Sequence, residues 1–104
     1  MSNCNYYKLD PDTKQVMPLN ESLEKVDWNN NQLFREFVNG YWVSTVFLPI
    51  NHFGNFFECY VFAGNEEEGI TDWSERYGQR ASTYDHIKYI HEETVRGIRE
   101  GILP

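Results

Sequence analysis

Three side chains in this sequence have the types and placement to do chemistry: His52, Glu58 and His91. Glu58 alternates with Phe56, Tyr60 and Phe62, so as part of a strand it sits among aromatics on one face. A carboxylate in apolar surroundings is costly unless paired, and a histidine that can become cationic is a suitable partner. His91 falls on the apolar stripe of a C-terminal helix that should cover the sheet, and His52 lies in the loop closing the hairpin that carries Glu58. The three could form a satisfied structural hydrogen-bond network, a metal site of two histidines and one carboxylate, or an acid–base pair. Local motifs do not choose among these. His91-Glu92-Glu93 opens like a zinc-protease helix, but Val95 stands where the second histidine belongs. There is no Gly-rich phosphate loop, no Cys-x-x-Cys and no nucleophile elbow.

The elements that must position these residues centre on Phe37–Phe62, two apolar runs led in by Asn39-Gly40. Asn-Gly between apolar runs signals a tight hairpin, because both residues tolerate positive φ. Residues 32–38 also fit a helical face capped by Gly40, but the turn signal favours a strand. Strands are expected at about 41–48 and 56–62, with Pro49 stopping the first and residues 49–55 as a loop. Gly64–Asp72 reads as a solvated loop with an exposed run of glutamates, and 73–81 as a last, weaker strand in which Gly78 marks a bulge or close approach. A helix over about 84–100 follows, capped by Thr83, with Asp85 at its start, Arg96 and Arg99 at its end, and Ile87, His91, Thr94, Val95 and Ile98 on one face. Upstream, residues 5–18 read as an edge β-hairpin turning at Asp10-Pro11-Asp12-Thr13, and Leu19–Trp28 as a short helix capped by Asn20 or Ser22. The whole is an α+β domain spanning 1–104, an antiparallel meander with one C-terminal helix across it. Both faces of the central strands are apolar, so the second must also be covered, by the short helix, the N-terminal hairpin or another copy of the chain. The last of these motivates a homodimer hypothesis.

The formal charge of −7 in 104 residues leaves no basic footprint for direct nucleic-acid binding or an anionic membrane. Between Tyr41 and Glu75 there are six acidic residues and no Lys or Arg. Such a surface suggests an alternative role, imitation of nucleic-acid phosphates to inhibit a host enzyme, beside the ordinary one of solubility. The opening MSNCNYYKLD is polar and no apolar run approaches the ~20 residues of a membrane span, which points to the cytoplasm. Cys4 and Cys59 have neither metal-ligand spacing nor a disulfide framework and read as reduced thiols. No cofactor is expected, unless a divalent metal sits on His52, Glu58 and His91.

Val43-Ser44-Thr45-Val46-Phe47-Leu48, then Asn51-His52, then Phe57-Glu58-Cys59-Tyr60-Val61-Phe62 form a spaced pattern, closed by Ser82-Thr83-Tyr84-Asp85 and His91-Glu92. Over about residues 37–96 the chain resembles small proteins encoded by bacteriophages and prophages. In those, VSTVFL leads to Asp-His, a Gly/Pro-containing loop, FETMVF, and a helix opening Ser-Thr-Trp-Glu and later carrying His-Glu. The resemblance implies a viral or prophage origin and puts His52, Glu58 and His91 at recognisable polar positions of the family; it implies no activity. Here Pro49-Ile50-Asn51-His52 replaces Gly-Leu-Asp-His and the following loop is shorter. Loss of the charge at Asn51 weakens a metal or general-base reading there. The leading expectation is a phage-type accessory protein that binds a protein partner. The alternatives are a metal-dependent or acid–base enzyme using the three polar residues, and the acidic mimic.

Overall fold

The computed structural model describes residues 6–20 and 22–104, so Cys4 and Asn5 lie outside the described residues. Two short strands, β1 (Tyr7–Leu9) and β2 (Val16–Pro18), form a separate two-stranded antiparallel sheet. Asp10 makes its turn: the carboxylate accepts the N–H groups of Asp12 and Thr13, both at 2.8 Å. Those bonds hold the Asp10 carboxyl below its usual range. The hairpin is thus its own sheet, where an edge element was expected.

The main sheet is the antiparallel meander β3 (Gln32–Val38), β4 (Tyr41–His52), β5 (Asn55–Asn65) and β6 (Gly69–Ala81), in that spatial order. Asn39 (φ 47°) and Gly40 (φ 86°) join β3 to β4 as the Asn-Gly signal demands, and settle 32–38 as a strand. The central strands outrun their expected ends. Pro49 does not stop β4, because it lies in the register break between the pairs Phe47↔Phe57 and His52↔Asn55. A missing N–H there removes no ladder bond. The 49–55 loop shrinks to a turn at Phe53 and Gly54, both at positive φ, with the Asn51 side chain accepting Gly54 N–H at 2.7 Å. Gly64–Asp72 is likewise mostly strand. The glutamates 66–68 alone form the turn, and Ala63 and Gly64 pair with Asp72 and Ile70.

Among the described residues of the Leu19–Trp28 span, no helix forms where one was expected. The Asn20 carbonyl accepts from Leu23 and Glu24, but Asp27 then draws the N–H groups of Asn29 and Asn30 to its own carboxylate. Asx side chains that compete in this way break short helices, which need a buried stripe to survive. Leu23 is 82% exposed, so there is no such stripe.

Helix α1 (Tyr84–Arg99) begins at Thr83, whose hydroxyl accepts His86 N–H at 3.3 Å. Its buried side is Ile87, Ile90, His91, Thr94, Val95, Gly97 and Ile98, and Leu103 folds back against Gly97. This side meets Val43, Phe47, Phe57, Cys59, Val61 and Ala81 of the sheet. Burying each large aliphatic or aromatic side chain contributes about 1.5–3 kcal/mol, so this seam dominates stability. Tyr7, Leu9 and Val16 of the hairpin pack against the same cluster. Helix α1 covers one face of the sheet; on the alternate positions of β5, Phe56 meets Tyr7 of the hairpin with ring centroids 4.8 Å apart. No helix among the described residues is long and apolar enough to cross a membrane.

Candidate functional site

His91 is 2% exposed and fully engaged. Its Nδ1 lies 2.7 Å from Thr45 Oγ1 on β4, and its Nε2 lies 2.9 Å from Glu36 Oε1 on β3. A neutral ring protonated at Nε2 satisfies both contacts, accepting from the threonine hydroxyl and donating to the carboxylate. Phe34 lies against the imidazole, with ring centroids 5.2 Å apart. Cys59 sits next to this group; burial pushes its thiol up, opposed by the hydroxyls of Thr45 and Thr94. Thr94 donates to the Ile90 carbonyl at 2.7 Å. The arrangement pins α1 to three strands. Among the described residues every buried side-chain nitrogen and oxygen has a partner. Sequence reasoning missed Glu36 and Thr45. Their signal was a polar residue at alternate positions with Phe34 and Val38, and with Val43 and Phe47, on the core face.

Glu58 is on the other side of the sheet. It stands opposite Val46 and Arg80, whereas His91 is held on the Thr45 face. The carboxylate is 14% exposed, accepts from Arg80 Nε at 2.9 Å and takes the phenolic hydrogen bond of Tyr60. Burial, then the neighbouring Glu58, push the Tyr60 phenol up. The partner of Glu58 is therefore the arginine directly across the ladder. His52 is at the far tip of β4, its ring edge-on to Phe53 at 5.0 Å. The structure does not bring His52, Glu58 and His91 together. Among the described residues no group of three or more His, Cys, Asp or Glu is placed to hold a metal.

What this face does assemble is a row of aromatic rings across all four strands. Phe37 on β3 lies 5.3 Å from Trp42 on β4. Trp42 is in register with Phe62 on β5, and Phe62 lies 5.3 Å from Trp73 on β6. Tyr60 flanks the row, 6.2 Å from Phe62. Arg35 stacks its guanidinium 4.8 Å over the Trp42 ring, a cation–π contact. Two glycines let rings of this face approach the backbone closely. A Cβ at Gly78 would stand 2.5 Å from two Tyr60 ring carbons, and one at Gly64 would stand 2.9 Å from Trp42 Cδ1. Trp42 Nε1–H donates to the Asn65 carbonyl at 3.0 Å, fixing the ring in place. Trp73 is 68% exposed. The sequence showed the aromatics but not the row, which exists only once the strand registers are set.

No family model, no curated protein and no solved structure matches the chain. The geometry and the residue types are what a functional reading has to use.

Proposed function

We propose that this chain is a phage-type accessory protein that acts by binding another protein through the helix-free face of its sheet. The observation that carries the reading is the row Phe37–Trp42–Phe62–Trp73 with Arg35 stacked on it. Tryptophan, tyrosine and arginine are the residues that most often dominate binding energy at protein interfaces. A rigid aromatic surface, with Trp73 exposed and the other rings packed beside it, also sheds ordered water on docking at little cost in side-chain entropy. The polar residues fit this role as scaffold: His91 fastens the helix behind the sheet, and the Glu58–Arg80 pair braces the face. The phage-type part of the reading is supported by the resemblance of the strand pair Val43–Leu48 and Phe57–Phe62 and of the helix start at Ser82–Asp85.

A photo-crosslinking side chain placed at position 73, with a second chain carrying it at Lys88 on the exposed side of α1, tests this in cells that express the protein. Adducts from position 73, suppressed by Trp42→Ala, are expected. Equal adducts from position 88, or none from 73, would refute the docking face.

A further inference from the structure

We infer that the occupant of the aromatic face is a second copy of this chain, packed sheet on sheet about a two-fold axis. This rests on the reading of that face as a docking surface, and four observations select a copy of the chain. The first is size. Four strands about 4.8 Å apart, crossed over some ten residues of about 3.3 Å, present a footprint on the order of 600 Å². Two copies would then remove on the order of 1,200 Å² from water, the lower bound of standard stable interfaces. The second is shape. Gly64 and Gly78 let the Trp42 and Tyr60 rings approach the backbone closely, which keeps this face low enough for another sheet, and twisted sheets pack face to face about 10 Å apart.

The third is charge. By strand alternation this face carries Arg35, Glu58, Arg76 and Arg80, with Glu58–Arg80 and Asp72–Arg76 paired and Glu75 beside the hollow lined by Tyr60 and Arg80, while the chain as a whole is −7. The face is the part of an acidic molecule that two copies can bring together with least repulsion. The fourth is that lateral growth is hindered at the β6 edge, while β3, the other edge, has a register break of its own between Gln32 and Phe34. Between the pairs Val61↔Tyr77 and Ala63↔Asp72, β6 advances five positions while β5 advances two. The extra residues bulge outward, clamped by Ser74 N–H and Arg76 on the Asp72 carboxylate, both at 2.9 Å. A bulged edge does not add a further strand readily, which favours the face over the β6 edge for association. With α1 closing the opposite side, the contact closes on itself as a dimer.

Sedimentation equilibrium of the purified full chain across concentration and salt is the test. The expected mass is twice 12.4 kDa. Because two −7 copies repel, the dimer should tighten several-fold from about 0.05 to 0.5 M NaCl, as the Debye length shortens. Trp73→Glu should weaken it by about 30-fold or more with an unchanged circular dichroism spectrum, since that side chain is already exposed. Lys88→Glu should leave it intact. A 12.4 kDa species at every concentration, or a dimer indifferent to Trp73→Glu, would overturn the inference. Position-73 adducts to a different protein would also overturn it while leaving the docking face standing. The absence of any adduct would remove both.

Discussion

Removing one hydroxyl tests whether His91 is a structural group. Thr45→Val keeps the volume but deletes the donor to His91 Nδ1, at 2.7 Å in a site closed to water. The imidazole must then leave a buried nitrogen unsatisfied, which costs about 1–3 kcal/mol. His91→Leu removes the ring and its bond to Glu36, leaving the Thr45 hydroxyl without its acceptor, with a cost of similar size. In the double variant both ends of the Thr45–His91 bond are gone together, so the two effects should fall short of additivity by about 1–2 kcal/mol. Urea unfolding followed by tryptophan fluorescence reads this directly. With a slope of about 1–1.5 kcal/mol/M for a domain of this size, Thr45→Val should lower the midpoint by about 0.7–3 M. A Thr45→Val protein within about 0.5 kcal/mol of the parent, or strict additivity in the double variant, would refute the buried network and return His91 to consideration as a reactive group.

The thiol offers a pH-dependent readout. Cys59 is held protonated in the folded protein by burial, so it contributes nothing to pH dependence below the unfolded thiol value near 9.0. Above that value the unfolded chain loses a proton that the folded chain keeps, and stability falls as pH rises toward the folded value. The urea midpoint should therefore drop as pH rises above about 9, and less so in Cys59→Ala. Tyr60, also shifted upward, adds to the drop from about pH 10 and remains in that variant. The two glycines under the rings should differ. Gly78→Ala meets the Tyr60 ring, which can lift, for about 1–3 kcal/mol. Gly64→Ala meets the Gly69 carbonyl as well as Trp42, and backbone cannot step aside, so its melting temperature should be the lower of the two.

The fold was legible where local chemistry acts alone. Asn39-Gly40 forces a tight turn, and Thr83, Asp85, Arg96 and Arg99 delimit a helix by its unpaired ends and dipole. It was misread where tertiary pairing overrides local rules. Pro49 looked like a stop, but it falls where the ladder is already broken. Gly64 looked like loop, but it lets a strand pass close under Trp42. Leu19–Trp28 had helical spacing and a cap, and failed because nothing buries Leu23. The polar candidates were found singly, but their partners depend on register. Glu58 pairs with Arg80 and His91 with Glu36 and Thr45, connections between residues far apart in the chain that no spacing encodes. The aromatic row is the extreme case, since each of its rings comes from a different strand.

Two tryptophans supply the most direct measurement of that face. Trp73 at 68% and Trp28 at 59% are similarly exposed, and Trp28 lies outside the aromatic row. Hydroxyl-radical footprinting of the purified protein, dilute and then at the concentration where it associates, should show comparable oxidation of both at first. Protection should then develop at Trp73 while Trp28 stays reactive. Equal reactivity of the two at every concentration, or protection at Trp28 in place of Trp73, would contradict the aromatic face as the site of association.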